Sequence, residues 1–284
     1  MKTRYVQVIF LSEPSLFLVE SFLGHGTFGQ VVKCMRVNDT ATVAIKLIKK
    51  SHRIDAFLEI YNLHKIRYLD PDKCNIVRWY SAFEDRGHLC LEFELLDKSL
   101  RHLLKERNFQ PLMLKEIRPI VQQLATALYH LKAIQVIHAD LKLENIMLVN
   151  HKQAPFRIKL IDFGLASEKS AAFVGSYIQS RFYRAPEILL GLPFDEAIDM
   201  WSLGCVAAEL FLGTPLYPGN SSYNMVRPIS IFHDIFAELD DLILFVDMVK
   251  AMLHLEASNR ITPRQVLSHS FTSMSFSHNS ASSI

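Results

Sequence analysis

Asp140, Lys142 and Asn145 fall within one short stretch, His138-Ala139-Asp140-Leu141-Lys142-Leu143-Glu144-Asn145, and a further carboxylate follows in Leu160-Ile161-Asp162-Phe163-Gly164. Two carboxylates, an amide and an ammonium are the groups that phosphoryl transfer from a magnesium nucleotide requires. One carboxylate takes or orients the proton of an acceptor hydroxyl; the other, with the amide, holds the metal that neutralises the phosphates. Short apolar runs, 134–137 and 158–161, precede the two clusters, and Ile146-Met147-Leu148-Val149 between them reads as a strand. Both clusters are therefore expected where strands give way to turns, which would gather the four residues into one small volume.

Such a site needs elements upstream to hold a nucleotide. Gly24-His25-Gly26-Thr27-Phe28-Gly29 follows a strand-like run over 18–23. The G-x-G-x-x-G spacing alone is weak evidence, because dinucleotide-binding folds share it. There a helix follows the glycines, whereas here Val31-Val32-Lys33-Cys34 reads as a strand and completes G-x-G-x-x-G-x-V. An ordinary glycine hairpin is the bland alternative. In Val43-Ala44-Ile45-Lys46, apolar neighbours on both sides suggest a lysine anchored toward a cleft, against the alternative of an edge lysine in water. The spacing of Ile60, Leu63, Ile66 and Leu69 predicts a helix over 55–69, which carries Glu59 as the natural partner for Lys46.

Strands are expected over 76–83 and 88–93. A long amphipathic helix is expected over 112–131, with Pro119 kinking it or delaying its start. The pattern then gives a nearly all-apolar central helix over 197–212, another over 242–255, and a short one opened by Thr262-Pro263 and ending at Leu267. The boundaries expected are a leader over 1–16, a β-rich lobe over 17–96, a mainly helical lobe over 97–267, and a serine-rich, disordered tail over 268–284.

The 284 residues are 50% hydrophobic and 21% charged, enough for a sizeable core. A formal charge of +2 is too mild to imply nucleic acid or membrane as the main partner. The four cysteines are scattered, with no C-x-x-C pair, which indicates neither a zinc site nor a disulfide framework and fits a reducing compartment. The expectation is an intracellular monomer without a signal peptide or membrane span.

Gly24 to Val31, Lys46, Glu59, the Asp140 segment, Asp162-Phe163-Gly164 and Ala185-Pro186-Glu187 stand in the order found in eukaryotic protein kinases, and the chain resembles that family from about Leu18 to Leu267. Within it, the likeness is to the homeodomain-interacting and dual-specificity tyrosine-regulated kinases. It is carried by His138-Ala139-Asp140, by Ser176-Tyr177-Ile178-Gln179-Ser180-Arg181-Phe182-Tyr183-Arg184 and by Glu196-Ala197-Ile198-Asp199-Met200-Trp201-Ser202-Leu203-Gly204-Cys205. The resemblance implies an α+β, bilobal kinase fold using ATP and Mg²⁺ and acting on protein substrates. Lys46, tethered by Glu59, would hold phosphates, Asp162 and Asn145 the metal. Asp140 would serve as base, and Lys142 would steady the γ-phosphate. Leu23, Gly24, Gly26, Gly29, Val31, Ala44, Phe93, Glu94, Leu96 and Met147 would line the ATP site, with the backbone of Glu94 to Leu96 reading the adenine edge. Tyr177 would be an autophosphorylated activation-loop tyrosine beside Arg181 and Arg184, with mature activity on Ser/Thr, often before proline. Arg260 would pair with Glu187. Nuclear residence follows from the resemblance alone, and the cytoplasm stands as the alternative.

Four features depart from the usual kinase pattern or from the resembled proteins. Ala139 replaces the arginine that usually precedes the catalytic aspartate, as in the homeodomain-interacting group, and Leu143 replaces a proline. The segment between Gly219 and Leu242 is much shorter than in the resembled kinases, and the long interaction regions of those proteins lie outside these residues. The shortened segment keeps a second reading open, a catalytically weak or silent kinase-fold scaffold.

Overall fold

The computed structural model describes residues 8–9, 16–25, 29–168, 178–219 and 240–273, and the structural statements below concern those residues. The first part of the chain is an antiparallel sheet in the order β1-β2-β3-β4-β6-β5, formed by β1 (Val8–Ile9), β2 (Phe17–His25), β3 (Gly29–Arg36), β4 (Thr42–Ile48), β5 (Trp79–Asp85) and β6 (His88–Glu94). The pairing sets Lys33 against Ala44, Val31 against Lys46, and Ala44 against Phe93. Because a pleated sheet turns alternate side chains to opposite faces, Val31, Ala44, Lys46 and Phe93 share one face. Gly29 has a steric reason to be glycine: a Cβ there would stand 1.9 Å from the Leu47 carbonyl oxygen of the neighbouring strand.

Helix α1 (Arg53–Ile66) follows β4 and buries Ala56, Glu59, Asn62, Leu63 and Ile66. It ends before the expected Leu69, ahead of Asp70-Pro71, where the proline disfavours a helical predecessor. Residues 76–77, expected to begin the next strand, instead bond to the other lobe: the Val77 N–H donates to the Leu160 carbonyl at 2.9 Å. Strand β5 accordingly starts only at Trp79.

The second lobe is mainly helical. It comprises α2 (Leu100–Glu106), α3 (Leu114–Ala133), β7 (Val136–Ile137), β8 (Ile146–Asn150), β9 (Ala154–Leu160), β10 (Ser167–Glu168), α4 (Pro186–Leu189), α5 (Ala197–Leu212), α6 (Asp240–Met252), α7 (Pro263–Ser268) and α8 (Ser270–Ser273). Pro119 lies inside α3 without delaying its start. The proline removes only its own bond to Lys115, while the Glu116 carboxylate accepts the Met113 N–H at 2.8 Å and fixes the N-terminus. Helix α5 is buried on nearly every side from Ile198 to Leu210 and forms the axis of the lobe. The lobe also runs past the expected edge at Leu267: Phe271 is fully buried against Phe245, and the Arg118 guanidinium lies 4.7 Å over its ring. Only residues beyond 273 of the expected tail lie outside the described part.

All four cysteines are buried and free. Burial pushes the Cys34 and Cys90 thiols up to about 12, which leaves them as small apolar core residues rather than nucleophiles.

Candidate active site

The catalytic segment is built from the centre of the helical lobe outward. Asp199, in the first turn of α5, is fully buried, and its two carboxylate oxygens accept the N–H groups of His138 at 2.7 Å and Ala139 at 2.9 Å. This holds Ala139 at a φ of 61°, a left-handed conformation rare for a residue with a side chain. The His138 ring is fixed at both nitrogens. Nδ1 accepts the Asp140 N–H at 3.2 Å, and Nε2, 3.0 Å from the Ile161 carbonyl, donates to it. The same ring stands edge-on to the buried Phe163. One histidine thus registers the Asp140 segment against the Asp162 segment.

Asp140 itself is 5% exposed. One carboxylate oxygen accepts from Lys142 Nζ at 2.7 Å and from Asn145 Nδ2 at 3.0 Å, and the other accepts the Ser180 hydroxyl at 2.8 Å. Lys142 also reaches Ser180 Oγ at 3.1 Å. Asn145 is brought to Asp162 by the backbone, since the Ile161 N–H donates to the Asn145 carbonyl at 2.9 Å. Asp162 adopts a φ of 64° and bonds across the cleft to Lys46 Nζ at 3.0 Å. Lys46 also donates to both oxygens of Glu59, at 2.7 and 2.8 Å. The structure thus joins Lys46 to Glu59 and Asp162, and Asp140 to Lys142 and Asn145, with the Ile161–Asn145 backbone bond linking the two groups.

Electrostatics in the cluster follow from this packing. Burial alone would lower the Lys46 ammonium, but Asp162 and Glu59 outweigh it and hold the group above the ordinary lysine value. For Asp162, burial pushes upward, while Lys46 outweighs that push and holds the carboxyl below its usual range. Burial raises Glu59, offset in part by Lys46; with both oxygens accepting from one ammonium, the geometry is that of an ion pair. A charged carboxylate and an amide facing a cleft are a donor set suited to a hard divalent cation, and Mg²⁺ needs only one or two protein ligands beside phosphate oxygens and waters.

The remaining residues expected at the ATP site come from both lobes. Val31, Ala44, Phe93, Leu96 and Met147 are all half-buried. The chain crosses between lobes after Glu94. Its N–H is taken by the Arg78 carbonyl at 3.0 Å, and the next N–H with a described backbone partner is that of Asp97, to Leu148 at 2.9 Å. The same bonds carry Met147 to the crossing, where Ser99 bridges it. Leu23 stands half-exposed at the end of the first glycine-loop strand. Gly26 and Tyr177 lie outside the described residues. Of the arginines expected beside Tyr177, Arg184 is 5% exposed, with donors already given to the Ile178 carbonyl at 2.9 Å and the Gln179 carbonyl at 2.7 Å.

Several residues that position the site were not singled out by sequence reading for that role. Asp199 and Ser180 stood inside quoted motifs without a role. Gln179 bonds Ile198, Ser202 and the Ala185 N–H through its side-chain amide, locking the loop to α5. Lys159, 1% exposed in β9, donates to Glu94 at 2.6 Å and to Asp72 at 2.7 Å, tying the helical lobe to the crossing segment. A lysine within an otherwise apolar strand was the available signal. Arg260 pairs with Glu187 at 2.7 and 3.0 Å, as expected.

Comparison with known proteins agrees with this geometry. The protein kinase domain family matches residues 17–272. The chain is 41% identical over 340 aligned positions to homeodomain-interacting protein kinase 1 of Mus musculus, covering 94% of this chain and 28% of that protein. It is 53% identical over 224 residues to homeodomain-interacting protein kinase 2 of Mesocricetus auratus (78% of this chain, 19% of the relative). It is 50% identical over 222 residues to homeodomain-interacting protein kinase 4 of Homo sapiens (77% and 36%). The chain thus spans between a fifth and about a third of the length of these relatives. The alignment to the first is longer than this chain, so that relative carries residues this chain lacks. With the two-lobed fold, the assembled carboxylate and lysine cluster and a match over most of its length, the chain belongs to the protein kinase family, whose domains use ATP with Mg²⁺.

Proposed function

We propose that this chain is an active, Mg-ATP-dependent protein kinase that phosphorylates serine and threonine hydroxyls of proteins. The observation that supports the proposal is the convergence of Lys46 and Glu59 from the first lobe with Asp162, Asp140, Lys142 and Asn145 from the second, Asp162 bonding Lys46 and Asp140 bonding Lys142 and Asn145. Lys46 orients the α- and β-phosphates and Glu59 fixes Lys46. Asp162 and Asn145 hold Mg²⁺, whose charge offsets that developing on the phosphates. Asp140 orients the acceptor hydroxyl and takes its proton, and Lys142 steadies the γ-phosphate. The outer carbonyls and amides between Glu94 and Leu96 bind the adenine edge between Val31 and Ala44 on one side and Met147 on the other.

Autophosphorylation of Tyr177, a preference for proline after the acceptor, and nuclear rather than cytoplasmic residence are the finer parts of the proposal. They rest on likeness to the homeodomain-interacting kinases. A phosphate on Tyr177 would add roughly −1.5 to −2 charge near Arg181. The test is incubation of the purified chain with labelled Mg-ATP and paired peptides, Ser-Pro against Ser-Ala, followed by mapping of labelled sites. Label on both protein and Ser-Pro peptide, with modified Tyr177 recovered, is expected. Equal labelling of the two peptides would remove the proline preference, and unmodified Tyr177 throughout would remove the autophosphorylation.

A further inference from the structure

Asn62 lies one turn beyond Glu59 on α1, and both are buried, at 3% and 2% exposure. An amide in such a place has lost its water and needs partners. The Asn62 side-chain nitrogen has two: it donates to the Phe163 carbonyl at 3.2 Å and to the Ala166 carbonyl at 2.7 Å. Its two hydrogens match the two acceptors one for one. The Ala166 N–H donates to the same Phe163 carbonyl at 3.2 Å, so the amide clasps the turn formed by 163–166 from outside. That turn follows directly on Asp162, whose left-handed backbone persists only where its surroundings fix it. Farther along, the Tyr61 hydroxyl and the Lys65 ammonium both reach the Glu168 carboxylate, and Ser167–Glu168 pairs with the strand that leads into His138.

We propose that Asn62 is a positioning residue for Asp162: by gripping the turn after it, Asn62 makes the seating of α1 on Lys46 and the placement of the metal-binding carboxylate one event. The proposal deepens the phosphotransfer reading and rests on it. Glu59 and Asn62 ride on a single helix, so a displacement of α1 that breaks the Lys46 pair also releases the 163–166 turn. Packed elements move between discrete arrangements rather than deforming continuously, which makes the two contacts cooperative.

Asn62→Leu keeps a similar volume and removes both donors, while Asn62→Gln keeps the amide on a longer stem. The wild-type chain and both variants are compared by two readouts. The first is hydrogen exchange, followed by mass spectrometry, of peptides covering 160–168 against peptides from α3 and α5. The second is phosphate transfer titrated separately in ATP and in Mg²⁺. The leucine variant is expected to exchange faster over 160–168 with α3 and α5 unchanged. It should require more Mg²⁺ for half its maximal rate and lose roughly 10- to 100-fold in kcat, while its KM for ATP stays close to wild type. Glutamine should recover part of each effect. Wild-type exchange and Mg²⁺ dependence in the leucine variant would overturn the proposal. So would a loss of protection spread over α3 and α5 that glutamine does not relieve, the signature of a plain packing role. Absence of transfer by the wild-type chain would instead refute the phosphotransfer reading, and the exchange comparison would still decide on Asn62.

Discussion

Replacing Glu187 by glutamine should destabilise this protein far more than the loss of one charge suggests. Arg260 places all five of its donors inside the helical lobe. Nε bonds the His254 carbonyl at 3.1 Å, one terminal nitrogen bonds Glu187 and the Ala197 carbonyl, both at 2.7 Å, and the other bonds Glu187 at 3.0 Å and the Leu255 carbonyl at 3.5 Å. The Arg260 side chain is fully buried and that of Glu187 nearly so, with the guanidinium 5.4 Å over the Trp201 ring. Glutamine keeps the shape but leaves a buried cation facing only dipoles, and breaking a buried pair from one side costs about 3–5 kcal/mol. Three carbonyls still solvate the guanidinium, which places Glu187→Gln near the lower end, about 3 kcal/mol. Arg260→Met leaves both a carboxylate and those three carbonyls unmet and belongs near the upper end, about 5 kcal/mol. At roughly 2–4 °C per kcal/mol for a domain of this class, the two variants should lose about 6–12 °C and 10–20 °C in Tm. The double variant carries no buried charge at this point, so its loss should fall short of the sum by about 2 kcal/mol or more. Urea unfolding of the four proteins measures the cycle. Single variants within about 1 kcal/mol of wild type, or strict additivity, would refute the reasoning.

Asp199→Asn should cost about 2–4 kcal/mol, because an amide can accept only one of the two N–H groups that Asp199 now takes. It should also slow transfer about 10²-fold by loosening the Asp140 segment while ATP still binds, as Tm and single-turnover assays would report. Lys159→Met should remove about 2 kcal/mol, between the values for exposed and buried pairs because Asp72 is exposed, and, if Glu94 borders the adenine as proposed, should raise KM for ATP more than it lowers kcat. The Lys159 hydrogen bond holds the Asp72 carboxyl below the ordinary range against a push from burial, with the Lys159 and Arg78 charges adding to it. A depressed folded value means the contribution is complete above the ordinary carboxylate value, near pH 4, and is lost as pH falls through the lower folded one. The Tm gap between wild type and Asp72→Asn should therefore hold from pH 7 to about 5 and close below about 4, and a gap that persists on acidification would contradict this.

The residues that touch the expected nucleotide were legible in the sequence because chemistry restricts their types. Lys46, Asp140, Asn145 and Asp162 cannot be exchanged for other residues of similar size; Lys46 sits within the apolar run of β4, and the other three stand beside the ends of β7, β8 and β9. The fold class was carried by the resemblance to protein kinases, and the strands and helices that the apolar pattern singled out fall within a few residues of their expected bounds from β2 to α5. What the sequence concealed were contacts set by tertiary packing. Asn62 looks like an ordinary polar residue on a helix until the 163–166 turn is placed against it. Lys159 looks like a strand lysine until Glu94 and Asp72 arrive from the other lobe. Residues 76–77 carry strand propensity, but their backbone groups bond β9 across the lobe junction. Phe271 stands in a serine-rich run whose composition suggests disorder, yet one aromatic ring with an Arg118 partner secures α8 to the lobe.

The proposed phosphoryl transfer turns on Asp140 acting within an assembled site. The direct measurement is transfer of labelled γ-phosphate from Mg-ATP to a Ser-Pro peptide by the wild-type chain and by Asp140→Asn, with nucleotide binding followed in parallel. The predicted result is transfer by the wild type, a loss of about 10²–10⁴-fold in the variant, and ATP binding retained in both. A variant that keeps near-normal turnover would contradict the role of Asp140, and a wild-type chain that binds ATP without transferring phosphate would make it a kinase-fold scaffold.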